Sequence, residues 1–256
     1  MNSWRLIDLE TYDGFMNMAI DEAILEARIE DKIPNTFRLY RWKPSCASIG
    51  RNQSMQQEVD IEACKKLGVD YVRRITGGGA VFHDYMGEIT YSIVAKKENL
   101  LPADIDETFR ILCKGIIVAL GDFGLNAQHG VFHCPSIFVG DRKISGSAQT
   151  IKKGVVLQHG TVLLHYDPEL MYNILKVKVP GYKSKVVSSV YQKVTTLEQE
   201  VTRAYDFEVV KNALIEGYKK GLNTSFDLET LTEHESSMAQ QLIIEKYKTD
   251  EWNFKL

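Results

Sequence analysis

The segment Arg73-Arg74-Ile75-Thr76-Gly77-Gly78-Gly79-Ala80-Val81-Phe82-His83-Asp84 decides how the rest of this chain is read. The arginines end a mostly apolar run, Val69 to Val72, with the character of a buried strand, and Ala80-Val81-Phe82 reads as strand again. Glycine has no Cβ, so three in a row allow a sharp turn and a close approach of a ligand to the peptide groups. The adjacent guanidinium groups of Arg73 and Arg74 could hold a carboxylate or phosphate bidentately. An ordinary hairpin with surface arginines fits the same letters. No Gly-Lys-Ser/Thr follows, so the stretch is not a P-loop, and its spacing is not that of a dinucleotide fingerprint.

A second stretch, Gly140-Asp141-Arg142-Lys143-Ile144-Ser145-Gly146-Ser147-Ala148-Gln149, precedes Gly154-Val155-Val156-Leu157-Gln158-His159-Gly160-Thr161. Together the two stretches resemble the lipoate–protein ligase and octanoyltransferase family, a branch of the biotin/lipoate ligase fold. Asn17-Met18-Ala19-Ile20-Asp21-Glu22-Ala23, Ser48-Ile49-Gly50, Glu88-Ile89-Thr90-Tyr91-Ser92 and Glu251-Trp252-Asn253 extend the resemblance over nearly the whole chain. The resemblance implies an α+β fold, with a strand-rich catalytic domain over residues 1–200 and a C-terminal helical segment, 201–256, packed on it.

Composition sets outer bounds. With 256 residues, 44% hydrophobic and 25% charged, the chain has the make-up of an ordinary soluble globular domain. A net charge of −3 argues against nucleic acid as the main partner. No apolar run is long enough to span a bilayer, and no apolar stretch of signal-peptide type follows Met1-Asn2-Ser3-Trp4-Arg5, so a cytoplasmic location is expected. The cysteines at 46, 64, 113 and 134 lack Cys-x-x-Cys spacing; free thiols are expected, and no metal site.

Local patterning predicts a strand from Trp4 and a helix from Asn17 to Ile29 with Asn17 as its cap. Strands follow at Phe37–Trp42, Cys46–Gly50 and Glu88–Ala95. A helix over Asp60–Leu67 ends at Gly68, and Asp104–Leu120 forms an amphipathic helix with Phe109, Leu112, Ile116 and Leu120 on one face. Lys152-Lys153-Gly154 is a hairpin turn, Pro168 opens a helix, and Gly181 to Thr196 reads as a mobile loop near a site. Phe207–Leu222 and Glu233–Tyr247 are two further helices, expected to pack as a pair.

Lys143 follows a turn and precedes small residues that leave room for a substrate; a solvated turn lysine is the plain alternative. Cys134, nine positions earlier, is the second candidate, since a thiolate attacks thioesters and a nearby ammonium favours the ionised form. A buried structural thiol is the alternative there, and Cys46, Cys64 and Cys113 are read as structural. His83 and His159 flank glycine turns without metal-ligand spacing, and Asp21 and Glu22 are read as cap and surface groups.

What the resemblance implies is more specific. In the family, the lysine matching Lys143 touches the acyl carbonyl; in transferases it also lowers the pKa of a cysteine, here assigned to Cys134. Arg74, Gly77, Gly78, Gly79, His83, Ser145, Gly146 and His159 would bind the acyl substrate. The implied reaction moves octanoate from acyl carrier protein to a lysine of a lipoyl domain, such as that of the glycine-cleavage H protein or a 2-oxoacid dehydrogenase E2 component, without a cofactor. The second reading is lipoate ligation through lipoyl-AMP, requiring ATP and magnesium. Ligases of the family carry Asn-Asp where this chain has Pro135-Ser136, which favours transfer. Transferases place their cysteine further upstream of the lysine than it stands here.

Overall fold

Alternation along the central strands sets the architecture. In Thr36–Trp42 and Glu88–Lys96 successive side chains face opposite sides of a sheet, and nearly every position is buried, so both faces must be covered. The computed structural model of the chain describes residues 3–100, 104–130, 135–176 and 194–255. Its strands are β1 (Trp4–Tyr12), β2 (Thr36–Trp42), β3 (Cys46–Ile49), β4 (Asp70–Arg73), β5 (Val81–His83) and β6 (Glu88–Lys96), then β7 (Ala127–His129), β8 (Ser136–Val139), β9 (Arg142–Lys152), β10 (Val155–Leu163) and β11 (Phe226–Leu228). Eight form a mixed sheet in the order β11-β1-β2-β6-β10-β9-β8-β7, and β4-β3-β5 form a small second sheet. β11, β1 and β2 run parallel; the pairings from β2 through β6, β10, β9 and β8 to β7 are antiparallel. This is the mixed strand-rich centre with flanking helices that the sequence predicts.

The principal helices are α1 (Gly14–Ile29), α2 (Ile61–Leu67), α3 (Ile105–Asp122), α4 (Pro168–Ile174), α5 (Phe207–Leu222) and α6 (Glu233–Leu242). α3 and α5 cover one face of the main sheet, where Leu39, Ile89, Tyr91 and Ile93 meet Leu112, Ile116, Leu214 and Tyr218. α1 and α6 cover the other, where Tyr40, Trp42 and Leu157 meet Ile20, Ile24 and Ala239. The expected pairing of α5 with α6 is therefore wrong: each packs on a different helix across the sheet, α5 on α3 and α6 on α1. A smaller cluster joins the second sheet to α2 and α4 through Ala47, Ile49, Cys64 and Ile174.

Caps fix the helix starts. Asp104 accepts from Glu107 N and Asp60 from Ala63 N, each within the first turn, and Gly68 closes α2 in the left-handed region at φ 65°. The predicted cap of α1 is displaced. Asp13, not Asn17, accepts from Met16 N, and Asn17 is a buried residue one turn in that donates to the carbonyls of Tyr12 and Arg41. Between β9 and β10, Lys153 and Gly154 both have positive φ, 47° and 79°, the backbone of a two-residue type I′ hairpin turn.

Arg73 ties the C-terminal residues to this frame. Its guanidinium donates to the carbonyls of Arg51, Gln53, Trp252, Asn253 and Lys255, and Trp252 Nε1 donates back to the Arg73 carbonyl. The side chain is fully buried and spent on backbone. The expectation that it presents a free fork to an anion is overturned.

Candidate active site

The glycine turn after β4 and strands β5, β6, β9 and β10 border a cavity of about 910 Å³. Its walls are largely apolar, from Met18, Val81, Phe82 and Leu163 to Phe109, Ile105 and Ile151 at the side of α3 and the β9–β10 hairpin. Phe109, expected on the core stripe of its helix, points into this cavity, whereas Leu112, Ile116 and Leu120 on that stripe are buried in the core.

Arg74 lies in the wall but offers no donor to a ligand. Its Nε donates to Thr76 Oγ1 (3.1 Å), Nη1 to Ser48 O and Oγ (3.3 and 3.1 Å), and Nη2 to the carbonyls of Gly77 and Gly79 (2.7 Å each). These bonds account for all five N–H groups of a guanidinium. Burial depresses its pKa to about 10. The bidentate anion site read from the sequence is thus occupied by the protein's own carbonyls and hydroxyls. Gly78 takes φ +93°, and a Cβ there would lie 2.9 Å from Arg74 Nη2, so only glycine fits over the guanidinium.

Two hydrogen-bonded chains run from the hydroxyls beside Arg74. Thr76 Oγ1 meets His159 Nε2 at 2.7 Å, and His159 Nδ1 meets Asp21 Oδ2 at 3.0 Å. Ser48 Oγ meets His83 Nε2 at 2.8 Å, and His83 Nδ1 meets Glu88 Oε1 at 2.6 Å. His83 also stacks on Trp42, ring centroids 4.0 Å apart. Both histidines line the cavity.

Asp21 is not the cap or surface group predicted. It is 1% exposed and accepts from Arg38 Nη1, Tyr40 OH and Ser92 Oγ as well as from His159. Burial alone would raise its pKa; the His159 hydrogen bond and the Arg38 charge outweigh it and hold the carboxyl below its usual value. Burial pushes His159 down, against the pull of Asp21 and with help from the Arg74 charge. Glu22, by contrast, is mostly covered but tied to Lys246 and Tyr247 on the outer side of α1.

Asp21, Ser48, Thr76 and Glu88 are the polar residues that sequence reasoning passed over. Glu88, Thr90 and Ser92 alternate with Ile89, Tyr91 and Ile93 along β6, a pattern ordinarily read as a solvated strand face. β6 lies in the middle of the eight-stranded sheet with both faces covered, which no local pattern discloses.

Lys143 reaches the cavity through a bulge. Phe138 pairs with Lys143 and Ile137 with Ser145, so Ile144 is an extra residue on β9. The bulge shifts the alternation by one and brings Lys143 to the side of Gly146, where a Cβ would stand 2.8 Å from both Cε and Nζ. The lysine is half-buried in the cavity wall. Gly77, Gly78, Gly79 and Gly146 are wall residues as well. Ser145 is not: it is buried outside the wall, with no hydrogen-bond partner for its Oγ among the described residues.

Cys134, like most of the loop expected over Gly181 to Thr196, lies outside the described residues, whereas Pro135 and Ser136 line the cavity. The three described cysteines are buried, and burial raises each thiol pKa, that of Cys64 to about 12. None of the three is a thiolate at neutral pH.

The chain matches the lipoyl protein ligase A/B catalytic domain over residues 13–219. It belongs to that family. It is 38% identical to "Octanoyltransferase LipM" of Anoxybacillus flavithermus, over 98% of each chain, and 32% identical to the protein of the same name from Bacillus subtilis, over 99% of this chain and 98% of that one. Among solved structures, a lipoate-protein ligase A bound with ATP superposes with a TM-score of 0.85 at 32% identity over 99% of both chains. The bipartite lipoate protein ligase of Thermoplasma acidophilum gives 0.83 at 34% identity, over 99% of this chain and 97% of that one. The family's catalytic domain therefore includes the glycine turn, both histidines and Lys143. Among the described residues no helix is long and apolar enough to cross a membrane, and no cluster of His, Cys, Asp and Glu could hold a metal.

Proposed function

We propose that the cavity is the acyl site of an octanoyltransferase that modifies lipoyl-domain proteins. One observation carries this reading: the amine-bearing end of Lys143 and the glycine turn held by Arg74 open on the same, mainly apolar cavity. An eight-carbon chain needs an apolar slot, and its carbonyl needs a cationic neighbour where negative charge develops.

Cys134 is the nucleophile of this proposal. The described thiols are protonated and buried, and Pro135, which follows Cys134 in sequence, lines the cavity. The Cys134 thiolate, favoured by the Lys143 ammonium, attacks the thioester carbonyl of octanoyl-acyl carrier protein. The C–S bond to the donor breaks, and the donor sulfur leaves as a thiol after taking a proton. The neutral amine of a lysine on a lipoyl domain then attacks the cysteine thioester, an amide forms, and the Cys134 thiol is released. Both steps start from an activated carbonyl, so the reading needs no nucleotide and no metal. The glycine-cleavage H protein and the E2 components of 2-oxoacid dehydrogenases are the acceptors considered.

The decisive measurement follows octanoyl transfer from octanoyl-acyl carrier protein to a lipoyl domain without ATP, with mass spectrometry of the enzyme for a hydroxylamine-sensitive octanoyl adduct. Transfer and adduct are expected from the native chain, and neither from Cys134→Ala. Undiminished transfer by Cys134→Ala rejects this nucleophile. Modification only with free lipoate, ATP and magnesium replaces transfer with ligation.

A further inference from the structure

The ionised Asp21 carboxylate can only accept, so His159 carries a hydrogen on Nδ1 facing it; in the neutral ring Nε2 then accepts from Thr76 Oγ1, whose lone pair in turn takes Arg74 Nε. The same inventory holds on the other side. Ser48 Oγ accepts from Arg74 Nη1 and donates to His83 Nε2, leaving Nδ1–H of His83 for Glu88 Oε1. A proton added to either Nε2 would displace the hydroxyl hydrogen, and neither hydroxyl has a second acceptor among the hydrogen bonds observed.

Among the described residues Arg74 makes no direct ion pair with a carboxylate. Its charge faces Asp21 and Glu88 only through an imidazole and a hydroxyl on each side. Between those two hydroxyls the remaining edge of the guanidinium holds Gly77 O and Gly79 O, the backbone that walls the cavity. The turn is braced from the other side by backbone alone: Thr76 O accepts from Arg51 N at 2.8 Å, and a Cβ at Gly50 would collide with Gly78 O, so Arg74 supplies the side-chain half of its support.

We infer that Asp21, His159 and Thr76 on one side, and Glu88, His83 and Ser48 on the other, are positioning residues that set the glycine wall of the acyl slot by orienting Arg74. They act on substrate binding rather than on the bond-breaking steps, because the guanidinium they orient has no donor left for the substrate. The inference rests on the acyl-transfer reading for its kinetic consequence, but not for its hydrogen-bond content.

Two measurements test it on the full-length chain. Nitrogen-15 NMR of the imidazole rings near neutral pH reports tautomer directly. Both His83 and His159 are expected to carry a hydrogen on Nδ1, with His159 neutral, and an Nε2–H tautomer or an imidazolium at His159 overturns the relay whatever reaction the protein catalyses. Kinetics then compare Thr76→Val, which keeps the shape and removes the hydroxyl, with Thr76→Ser, which keeps the hydroxyl. Thr76→Val should raise KM for the octanoyl donor about tenfold with kcat within about twofold of native, and Thr76→Ser should restore KM. An unchanged KM in Thr76→Val, or equal impairment of both variants, overturns the positioning role. Should the native chain fail to transfer octanoate at all, the reaction assignment falls, and the tautomer measurement still decides the relay.

Discussion

The two faces of the main sheet are supplied by the same strands and are equally buried, yet they are built on different physics. From β2, Phe37 and Leu39 face α3 and α5, while Arg38 and Tyr40 face α1, and all four are 0% exposed. From β6, Ile89, Tyr91 and Ile93 face the first side, whereas Glu88, Thr90 and Ser92 join the buried polar chain on the second. The apolar face is held by burial, which is non-directional and tolerates exchanges of similar volume. The polar face adds to its own apolar contacts with α1 and α6 a set of hydrogen bonds that each need one partner in one place, and a missing partner leaves a desolvated group behind. The cavity opens on the polar face, where geometry is specified residue by residue.

Substitutions on the two faces should therefore behave differently. The largest effect is expected at the centre of the polar face. Arg38→Met removes the cation that bonds Asp21 and Asn17 and leaves a buried carboxylate short of its counter-charge. It should cost about 3 kcal/mol in urea unfolding, and a cost below about 1 kcal/mol would mean that the network tolerates gaps as the apolar face does. Gly146→Ala sharpens the comparison at the site itself. Its Cβ would meet the far end of the Lys143 side chain rather than backbone, so the lysine is displaced. Octanoyl transfer should fall about a hundredfold, equivalent to about 2.7 kcal/mol, with unfolding stability within about 0.5 kcal/mol of native. The smallest effect belongs to the apolar face: Leu112→Met, in the α3 contact, should cost less than about 1.5 kcal/mol and leave transfer unchanged.

What could be read in the letters divides along the same line. α2, α3 and α5 fall where caps, period and closing residues place them, because Asp60, Gly68 and Asp104 act on backbone a few positions away. The Lys153-Gly154 turn is legible for the same reason. The arginine pair is not. Two guanidinium groups beside a glycine turn look like an anion clamp until the carbonyls that consume them are in view, and Asn253, which takes the Arg73 amide proton, lies 180 positions away. Asp21 was hidden by the expected helix start at Asn17, which puts it in an early turn where the helix dipole ordinarily explains an acidic residue; α1 starts at Gly14 and has no acidic residue in its first turn. Of the proposed site residues, Arg74, the three glycines, His83, Gly146, His159 and Lys143 come together around one cavity, Ser145 stays outside its wall, and Cys134 is not among the described positions.

The amino-acid sequence by itself determined the class of fold, the glycine turn, the turn lysine and the membership of a lipoyl-transferring family, since these rest on residue types and short spacings. The tertiary structure alone decided that Arg73 is spent on backbone and Arg74 on three carbonyls and two hydroxyls, that a β-bulge at Ile144 brings Lys143 to the side of Gly146, and that two carboxylate–histidine chains end on Arg74. The physical reason is that a buried polar group is defined by its partner, and these partners come from strands and helices far apart in the chain.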